Sequence, residues 1–543
     1  MIKILIEKNK LIKYAPILSG ILLGLSFPPN PLGALFAGLG FIPILFYIKY
    51  SPDYKDVLRK CYYTMIIFTL LSSWWMGSWQ ANSDKFLILT CIAFITLHPL
   101  FYLPAFVIYK FVLKKWGEFV GLICFSLFWC FGEYLHSLSE ASYPWFTIGN
   151  TQTYNLLYSQ FIEYTGVWGL SLLILFQNSI LTYLIFSREK EIIIKKNILK
   201  KSIITLIVII IVPYFFGIYK VFYESGSYKK IKVTIIQPNI NPWDKWNEID
   251  TSNQIKINAD LSIKSLKSEK TELFLWVETA IPYPLRHPTY KDKLQEMTSF
   301  VDSINTPILT GFADYEVYDK KNKISNSSRK EERIIDGKSD TINFDYFNSA
   351  GLFIPKFGLS SIYHKTQLVP FGERIPFIDA IPSLSTMLTW GVGISSWGLG
   401  SEVLNLKLND SIKIGTVICI ESIYPNLVRK FVDKGANLLT IITNDGWYLG
   451  TPGPIQHNQF AVLRAIENRR SIVRAANTGI SCFINPYGYK LKKSNEGVKT
   501  TLTESVELRN DRTFYVKYND WLPKLCGVIS LLILLFSILK KSS

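Results

Sequence analysis

The chain has 543 residues, 49% of them hydrophobic and 15% aromatic, and a formal net charge of +17. Such a length accommodates two or three domains, and such a composition is too apolar for a soluble protein of that size. The excess Lys and Arg gathers in short loops between apolar runs and forms no stripe interleaved with aromatics, so it reads as a membrane-topology signal and excludes a nucleic-acid-binding role.

In chain order, about eight stretches have the length and hydropathy of transmembrane helices. Their limits are near 11–27, 32–49, 62–79, 86–113, 117–137, 166–186, 202–219 and 521–539. No small-residue cleavage site follows the first, so it is expected to be retained. The fourth contains His98, Pro99 and Pro104 and is expected to kink. Basic residues fill the N-terminus, the connections near 49–60, 110–115 and 188–201, and the C-terminus, whereas the alternate loops 28–31, 80–85 and 138–165 hold only Lys85. The positive-inside rule then puts both termini in the cytoplasm and residues 220–520 outside it. The expected division is seven spans in 1–219, an extracytoplasmic domain in 220–520 and an eighth span in 521–543. Glu133 and His136, near the outer end of the fifth span, read either as lining a site or as ordinary interfacial groups.

Within the outer domain, short β-rich runs at 231–238, 273–277, 307–311, 349–353, 412–418 and 437–443 alternate with helical patterns at 253–268, 423–434 and 455–470. That alternation predicts an α/β domain with a buried sheet. The charged run 319–340 reads as a solvated loop. The apolar, Gly-containing stretch 375–400 reads either as a lipid-facing lid, with Trp390 and Trp397 as contacts, or as core packing.

Polar motifs stand at the ends of the strand-like runs: Glu278-Thr279-Ala280, His364-Lys365-Thr366, Leu368-Val369-Pro370-Phe371-Gly372-Glu373, Cys419-Ile420-Glu421 and Asn444-Asp445-Gly446-Trp447. A carboxylate, an ammonium and a thiol at strand ends can converge on one pocket. There Glu278 would take the thiol proton. Lys365 would stabilise a thiolate or an oxyanion, and the Ile420 N–H would add a second oxyanion donor. Glu373 or Glu421 would hold Lys365. Taken singly, each of these residues fits an ordinary structural role; Cys419 alone fits a core position. Of seven cysteines, only Cys419 and Cys482 fall in the polar domain. There is no Cys/His cluster, so neither a metal nor an organic cofactor is expected.

In their order, these residues resemble the Glu-Lys-Cys triad of the nitrilase superfamily, whose fold is an α-β-β-α sandwich. With the spans, the chain resembles the apolipoprotein N-acyltransferase family over nearly its full length. The motifs are Leu25-Ser26-Phe27-Pro28-Pro29, Glu133-Tyr134-Leu135, Pro144-Trp145, Gly166–Ser171, Gln237–Ile240, the Leu368–Glu373 string and Asn444–Trp447. Val277 and Ile420 depart from the residues usual beside the base and the nucleophile.

The resemblance implies Glu278 as base, Lys365 as oxyanion stabiliser and Cys419 as nucleophile. Glu373 and Glu421 would be supporting acids, and Trp246 and Trp447 aromatics near the pocket. It also implies a monomer in the bacterial inner membrane that moves an acyl chain from a phospholipid, through a Cys419 thioester, to the α-amino group of a diacylglyceryl-cysteine on an apolipoprotein, by ping-pong kinetics. The alternative is a membrane-tethered amidase with water as acceptor. A transporter is disfavoured by the lack of internal repeats.

Overall fold

The computed structural model describes residues 2–80, 83, 85–189, 196–224, 226–243, 245, 248–318, 328–335, 338–381 and 397–540. Trp246 and Trp390, and most of the stretch expected to form a lid, lie outside these.

A helix occupies each expected span. They are α1 (Ile2–Gly24), α2 and α3 (Gly33–Gly40, Ile42–Tyr50), α4 (Tyr54–Ser73), α5 and α6 (Lys85–Leu97, Leu103–Trp116), α7 (Glu118–His136), α8 (Val167–Glu189), α9 (Lys196–Phe222) and α14 (Trp521–Leu539). Six of these spans are long and apolar enough to cross a membrane by length and composition, counting α2 with α3 and α5 with α6 as one each. In α1 the apolar part is the shorter Ile12–Gly24, and α4 begins with Lys55, Asp56, Arg59 and Lys60. The break between α5 and α6 is a 3-10 turn, His98–Tyr102. Pro99 has no N–H for the helical ladder, which is why the rod breaks there. Glu133 is buried; its Oε1 accepts from Trp129 Nε1 at 3.0 Å and from the Ile148 N–H at 2.7 Å.

The other part holds two sheets. The first contains β1 (Lys230–Gln237), β2 (Leu273–Leu275), β3 (Ile281–Pro284), β4 (Ile308–Tyr318), β5 (Arg329–Ile335), β6 (Lys338–Ile354), β7 (Gly358–His364) and β14 (Thr500–Glu507). Its order is β14-β1-β2-β4-β6-β5, with β3 on β4 and β7 on β6. The second contains β8 (Leu406–Lys407), β9 (Lys413–Ile418), β10 (Leu438–Thr443), β11 (Ile472–Ala476), β12 (Cys482–Ile484) and β13 (Lys490–Lys493), in the order β13-β12-β11-β10-β9-β8.

Helices α10 (Glu248–Ser268) and α11 (Lys291–Ile304) pack on the first sheet, α12 (Pro425–Asp433) packs on the second, and α13 (Pro452–Asn468) packs beside α12 and over the turns that leave β9 and β10. With β1 packed on β11, the layers run α-β-β-α. Strands β9, β10 and β11 are parallel and buried almost throughout. Burial on both faces is why β9 and β10 read as continuous apolar runs rather than alternating ones, whereas β11, interrupted by Arg474, was not expected as a strand. The run 319–340 is corrected in part: residues 329–335 form β5, paired antiparallel with β6. Charge alone concealed a strand whose partner supplies its hydrogen bonds.

The two parts interlock at one end of the helices. Ser78 Oγ donates to Trp447 O at 2.5 Å and Gln80 Nε2 to Gly446 O at 3.0 Å. Trp145 Nε1 donates to Gln456 Oε1 at 2.7 Å, while Gln456 Nε2 donates to Pro28 O at 2.9 Å. These contacts come from the loops poor in basic residues. At the opposite end, Lys115 Nζ and Lys540 Nζ each donate to the other's backbone carbonyl, at 2.8 and 2.7 Å.

A buried ionic group joins the parts laterally. Arg469 gives Nε to Glu163 Oε2 at 2.7 Å and Nη1 to Gln160 Oε1 at 2.6 Å, and Lys220 pairs with Glu163 at 2.8 Å. Arg469→Met would leave Glu163 with Lys220 but strip Gln160 Oε1 and the Gln160 and Pro486 carbonyls of their buried donor. It is expected to destabilise the protein by about 2 kcal/mol. Thermal unfolding in detergent should show this as a clear fall in midpoint, and an unchanged midpoint would contradict it.

Candidate active site

The site assembles where β2, β7 and β9 end. Beyond β2 the chain stays extended through Trp276 and Val277, held to β4 by Trp276 N donating to Leu309 O at 2.8 Å and Gly311 N donating to Val277 O at 3.1 Å. A side chain at position 311 would put its Cβ 2.7 Å from Glu278 Cα and 2.5 Å from Thr279 N, so glycine is what lets β4 pass behind the Glu278 backbone. Lys365 follows β7, its N–H donating to Asn348 O at 2.9 Å. Cys419 ends β9 with φ +52° and opens a 3-10 turn, Cys419–Ile423. A non-glycine residue in this left-handed conformation carries backbone strain, which the surrounding structure must hold.

Three charged groups meet here. Lys365 Nζ lies 2.9 Å from Glu373 Oε1 and 3.4 Å from Glu278 Oε1. Asn348 Nδ2 bridges the same two carboxylates, at 2.8 Å to Glu278 and 3.0 Å to Glu373. The Val369 N–H fills the other Glu373 oxygen at 2.8 Å. Lys365 is fully buried. Burial alone would lower its pKa, but Glu373 and Glu278 outweigh it and hold the ammonium well above its ordinary range. Cys419 moves in the opposite sense to an activated thiol: burial, then the Glu278 carboxylate, raises it far above the ordinary value, against the pull of Lys365. Both shifts favour a protonated thiol beside a charged ammonium.

Glu421 works as a strut between the two strand ends. Its Oε1 accepts from Tyr363 OH at 2.7 Å, Thr366 N at 2.8 Å and Gln367 N at 3.2 Å, and its Oε2 from Ile418 N at 2.8 Å. It thereby fixes the Lys365 segment against the Cys419 turn and does not itself touch Lys365. Trp447 is half-buried; its ring meets Trp243 edge-on at 4.9 Å. Trp397 is 6% exposed and packs with Ala313, Leu368 and Tyr346 behind the Glu373 loop, its N–H donating to Glu373 O at 3.2 Å. Cys419 and Cys482 are both free thiols, and no group of three metal-ligating side chains occurs among the described residues.

Sequence reasoning missed three residues. Asn348 sits one position before an expected strand, where no motif marks it. Lys245 is buried; its Nζ donates to Glu278 O at 2.8 Å and to Thr279 Oγ1 at 2.5 Å. His457 lies in an expected helix and bonds to the Cys419 turn, with Nε2 3.1 Å from Cys419 O. A lone His on a helix gives no signal of this.

Residues 19–180 match the family model of the apolipoprotein N-acyltransferase N-terminal domain, and residues 232–510 match that of carbon-nitrogen hydrolases. A curated apolipoprotein N-acyltransferase of Chlorobaculum tepidum is 31% identical over 535 residues, 97% of each chain. The chain belongs to the apolipoprotein N-acyltransferase family. Other members similar to it are those of Geobacter metallireducens, 28% identical over 93% of this chain and 91% of that one, and Treponema denticola, 28% identical over 98% of each. A solved carbon-nitrogen hydrolase of Helicobacter pylori covers 56% of this chain and 94% of its own, at 13% identity and a TM-score of 0.36. Both parts of the family's architecture, the helical membrane part and the carbon-nitrogen hydrolase domain, are thus present in this one chain.

Lys245 makes a pH-dependent contribution. Burial lowers its pKa from 10.5 to about 8, against the pull of Glu278. Between those values the unfolded chain binds more protons than the native one, so native stability rises with pH across that window. The rise amounts to about 3 kcal/mol. Between pH 7.5 and 10 the melting midpoint of the wild type should gain more than that of Lys245→Met, since Lys490, whose pKa burial also lowers to about 8, contributes to both; equal pH responses would overturn the assignment.

Proposed function

We propose that this protein is a phospholipid:apolipoprotein N-acyltransferase, with Cys419 as acyl carrier, Glu278 as general base and Lys365 as oxyanion stabiliser. One observation carries the reading above the others. Buried Glu278 and Lys365 and a part-buried Cys419 lie where the outer-domain turns meet the loops of a membrane-spanning bundle. Tyr143, from the loop after α7, stacks on Trp145 at 5.5 Å, and Trp145 in turn packs on His457, which bonds the Cys419 turn; Tyr448 meets Trp75, after α4, at 5.0 Å. Substrates anchored in a bilayer reach such a site without leaving the membrane.

Chemically, Glu278 takes the Cys419 proton as sulfur attacks the ester carbonyl carbon of the phospholipid. The oxyanion of the tetrahedral intermediate is held by Lys365 Nζ and the Ile420 N–H. Collapse breaks the ester C–O bond, and Glu278 returns the proton to the departing lysophospholipid oxygen. In the second half, the α-amino group of the diacylglyceryl-cysteine attacks the thioester. Its pKa near ~8 leaves a useful neutral fraction at pH 7. Glu278 now takes the amine proton, the C–S bond breaks, and the proton returns to sulfur. One site used in turn by two lipids gives ping-pong kinetics. Every group in this scheme comes from one chain, in keeping with a monomer.

The loops in contact with the outer domain are the ones poor in basic residues, and Lys115 and Lys540 meet at the far end. By the positive-inside rule this supports a periplasmic catalytic domain at 220–520, between spans in 1–219 and 521–543, with both termini cytoplasmic. Trp447, half-buried beside Trp243 and Ser78, is our assignment for an aromatic contact to the acyl donor.

Incubation with phospholipid but no acceptor peptide, followed by intact-mass measurement, should yield a stable adduct of one acyl chain on Cys419. Cys419→Ala should abolish it. A thioester that hydrolyses as fast as it forms would favour the amidase alternative. Glu278→Gln should lose both half-reactions by at least 10²-fold; full activity in that variant would refute its role as base.

A further inference from the structure

A buried chain of side chains lies behind the nucleophile and takes no part in the scheme above. His457 Nδ1 is 2.8 Å from Asp445 Oδ1, and Arg474 Nη2 is 2.7 Å from Asp445 Oδ2 and 3.1 Å from His457 Nδ1. On its other side, His457 Nε2 is 2.8 Å from Ser422 Oγ and 3.1 Å from Cys419 O. Ser422 Oγ itself donates to Cys419 O at 2.9 Å. His457, Asp445, Arg474 and Ser422 are all at most 5% exposed. Burial would raise the Asp445 carboxyl, but Arg474 and His457 hold it below the usual carboxylate range.

The arrangement has the outline of a Ser-His-Asp triad, yet its chemistry points elsewhere. A carbonyl oxygen and a carboxylate oxygen only accept, so with Cys419 O at Nε2 and Asp445 Oδ1 at Nδ1 both ring nitrogens of His457 face acceptors and each donates. The serine hydroxyl is committed to the same oxygen. Both donors therefore grip one carbonyl, and neither leaves Ser422 free to attack.

That carbonyl shares a peptide unit with the Ile420 N–H. The unit is planar and trans, so its C=O and N–H point in opposite directions. Fixing one end fixes where the other aims. The left-handed φ of Cys419 needs such an external hold, because the strand would otherwise relax out of it. From the membrane side, the Trp145 ring packs on His457, with centroids 5.4 Å apart, and closes the remaining face.

We propose that Asp445, His457 and Ser422 are positioning residues that orient the Cys419–Ile420 peptide so that its N–H serves the oxyanion. This rests on the reading of Cys419 as the acyl-accepting nucleophile. The role is to stabilise charge that develops only at a carbonyl centre, so reactions of the thiol without an oxyanion should not feel it.

The test compares two reactions of Cys419 in the full-length protein in detergent. One is acylation by phospholipid. The other is alkylation by iodoacetamide, a displacement at saturated carbon that forms no oxyanion. His457→Phe keeps a ring against Trp145 and leaves Asp445 paired with Arg474. It should slow acylation about 10²-fold, with KM for phospholipid within about twofold of wild type and alkylation within about threefold. Ser422→Ala, which removes one hydroxyl, should slow acylation about tenfold with the same selectivity, and it decides the matter alone if His457→Phe fails to fold. Acylation at the wild-type rate in Ser422→Ala and in a folded His457→Phe overturns the proposal. So does alkylation slowed as much as acylation, or a loss confined to KM. A wild-type protein that is never acylated on Cys419 instead overturns the underlying reading.

Discussion

The site depends on one buried ammonium shared by two carboxylates, Glu278 buried and Glu373 partly so. Glu278 and Glu373 both face Lys365, so the cluster carries a net charge of minus one before the thiol is counted. Ionising Cys419 to solvent would take that to minus two in a poorly solvated place, and the thiol pKa rises accordingly. Passing the proton to Glu278 leaves the total unchanged. In the proposed reaction the electrostatics favour an internal transfer over a standing thiolate. Asn348, which bonds both acids, fixes them relative to one another.

The arrangement persists only because two strand ends are locked together. Glu421 ties the Lys365 segment to the Cys419 turn, and Lys245 ties down the backbone on which Glu278 rides. The membrane part completes the enclosure: Ser78 and Gln80 hold the Trp447 turn, and Gln456 bonds both Trp145 and Pro28. The helical bundle is thus more than an anchor, since its loops bond directly to the turns around the candidate site.

Much of this was legible in the sequence. The parallel strands β9, β10 and β11 are buried on both faces, so β9 and β10 stood out as unbroken apolar runs, and Glu278, Lys365 and Cys419 stood at the ends of such runs. The spans declared themselves by length, and Pro99 marked the break between α5 and α6. What escaped was set by contacts distant in sequence. Arg329–Ile335 is charged and looks like a loop until β6 pairs with it. Asn348 and Lys245 gain their meaning from carboxylates and carbonyls dozens of residues away, and His457 from a carbonyl 38 residues back. Between Glu373 and Glu421, the two expected partners of Lys365, Glu373 pairs with it and Glu421 bonds the strand ends instead. For Trp397 the sequence left lid and core packing open, because an apolar run carries no mark of the side chains that enclose it.

The pairing of β1 with β14 bears on how the protein is made. Gln237 lies opposite Thr500 and Lys230 opposite Glu507, so β1, which also pairs with β2, has its other neighbour from the far end of the domain. Closing so long a loop carries a large entropic cost before any contact repays it. The first sheet consequently stays open on one side until synthesis has passed residue 507. Throughout that interval the nascent chain holds an unpaired edge beside a membrane, the kind of surface that chaperones shield.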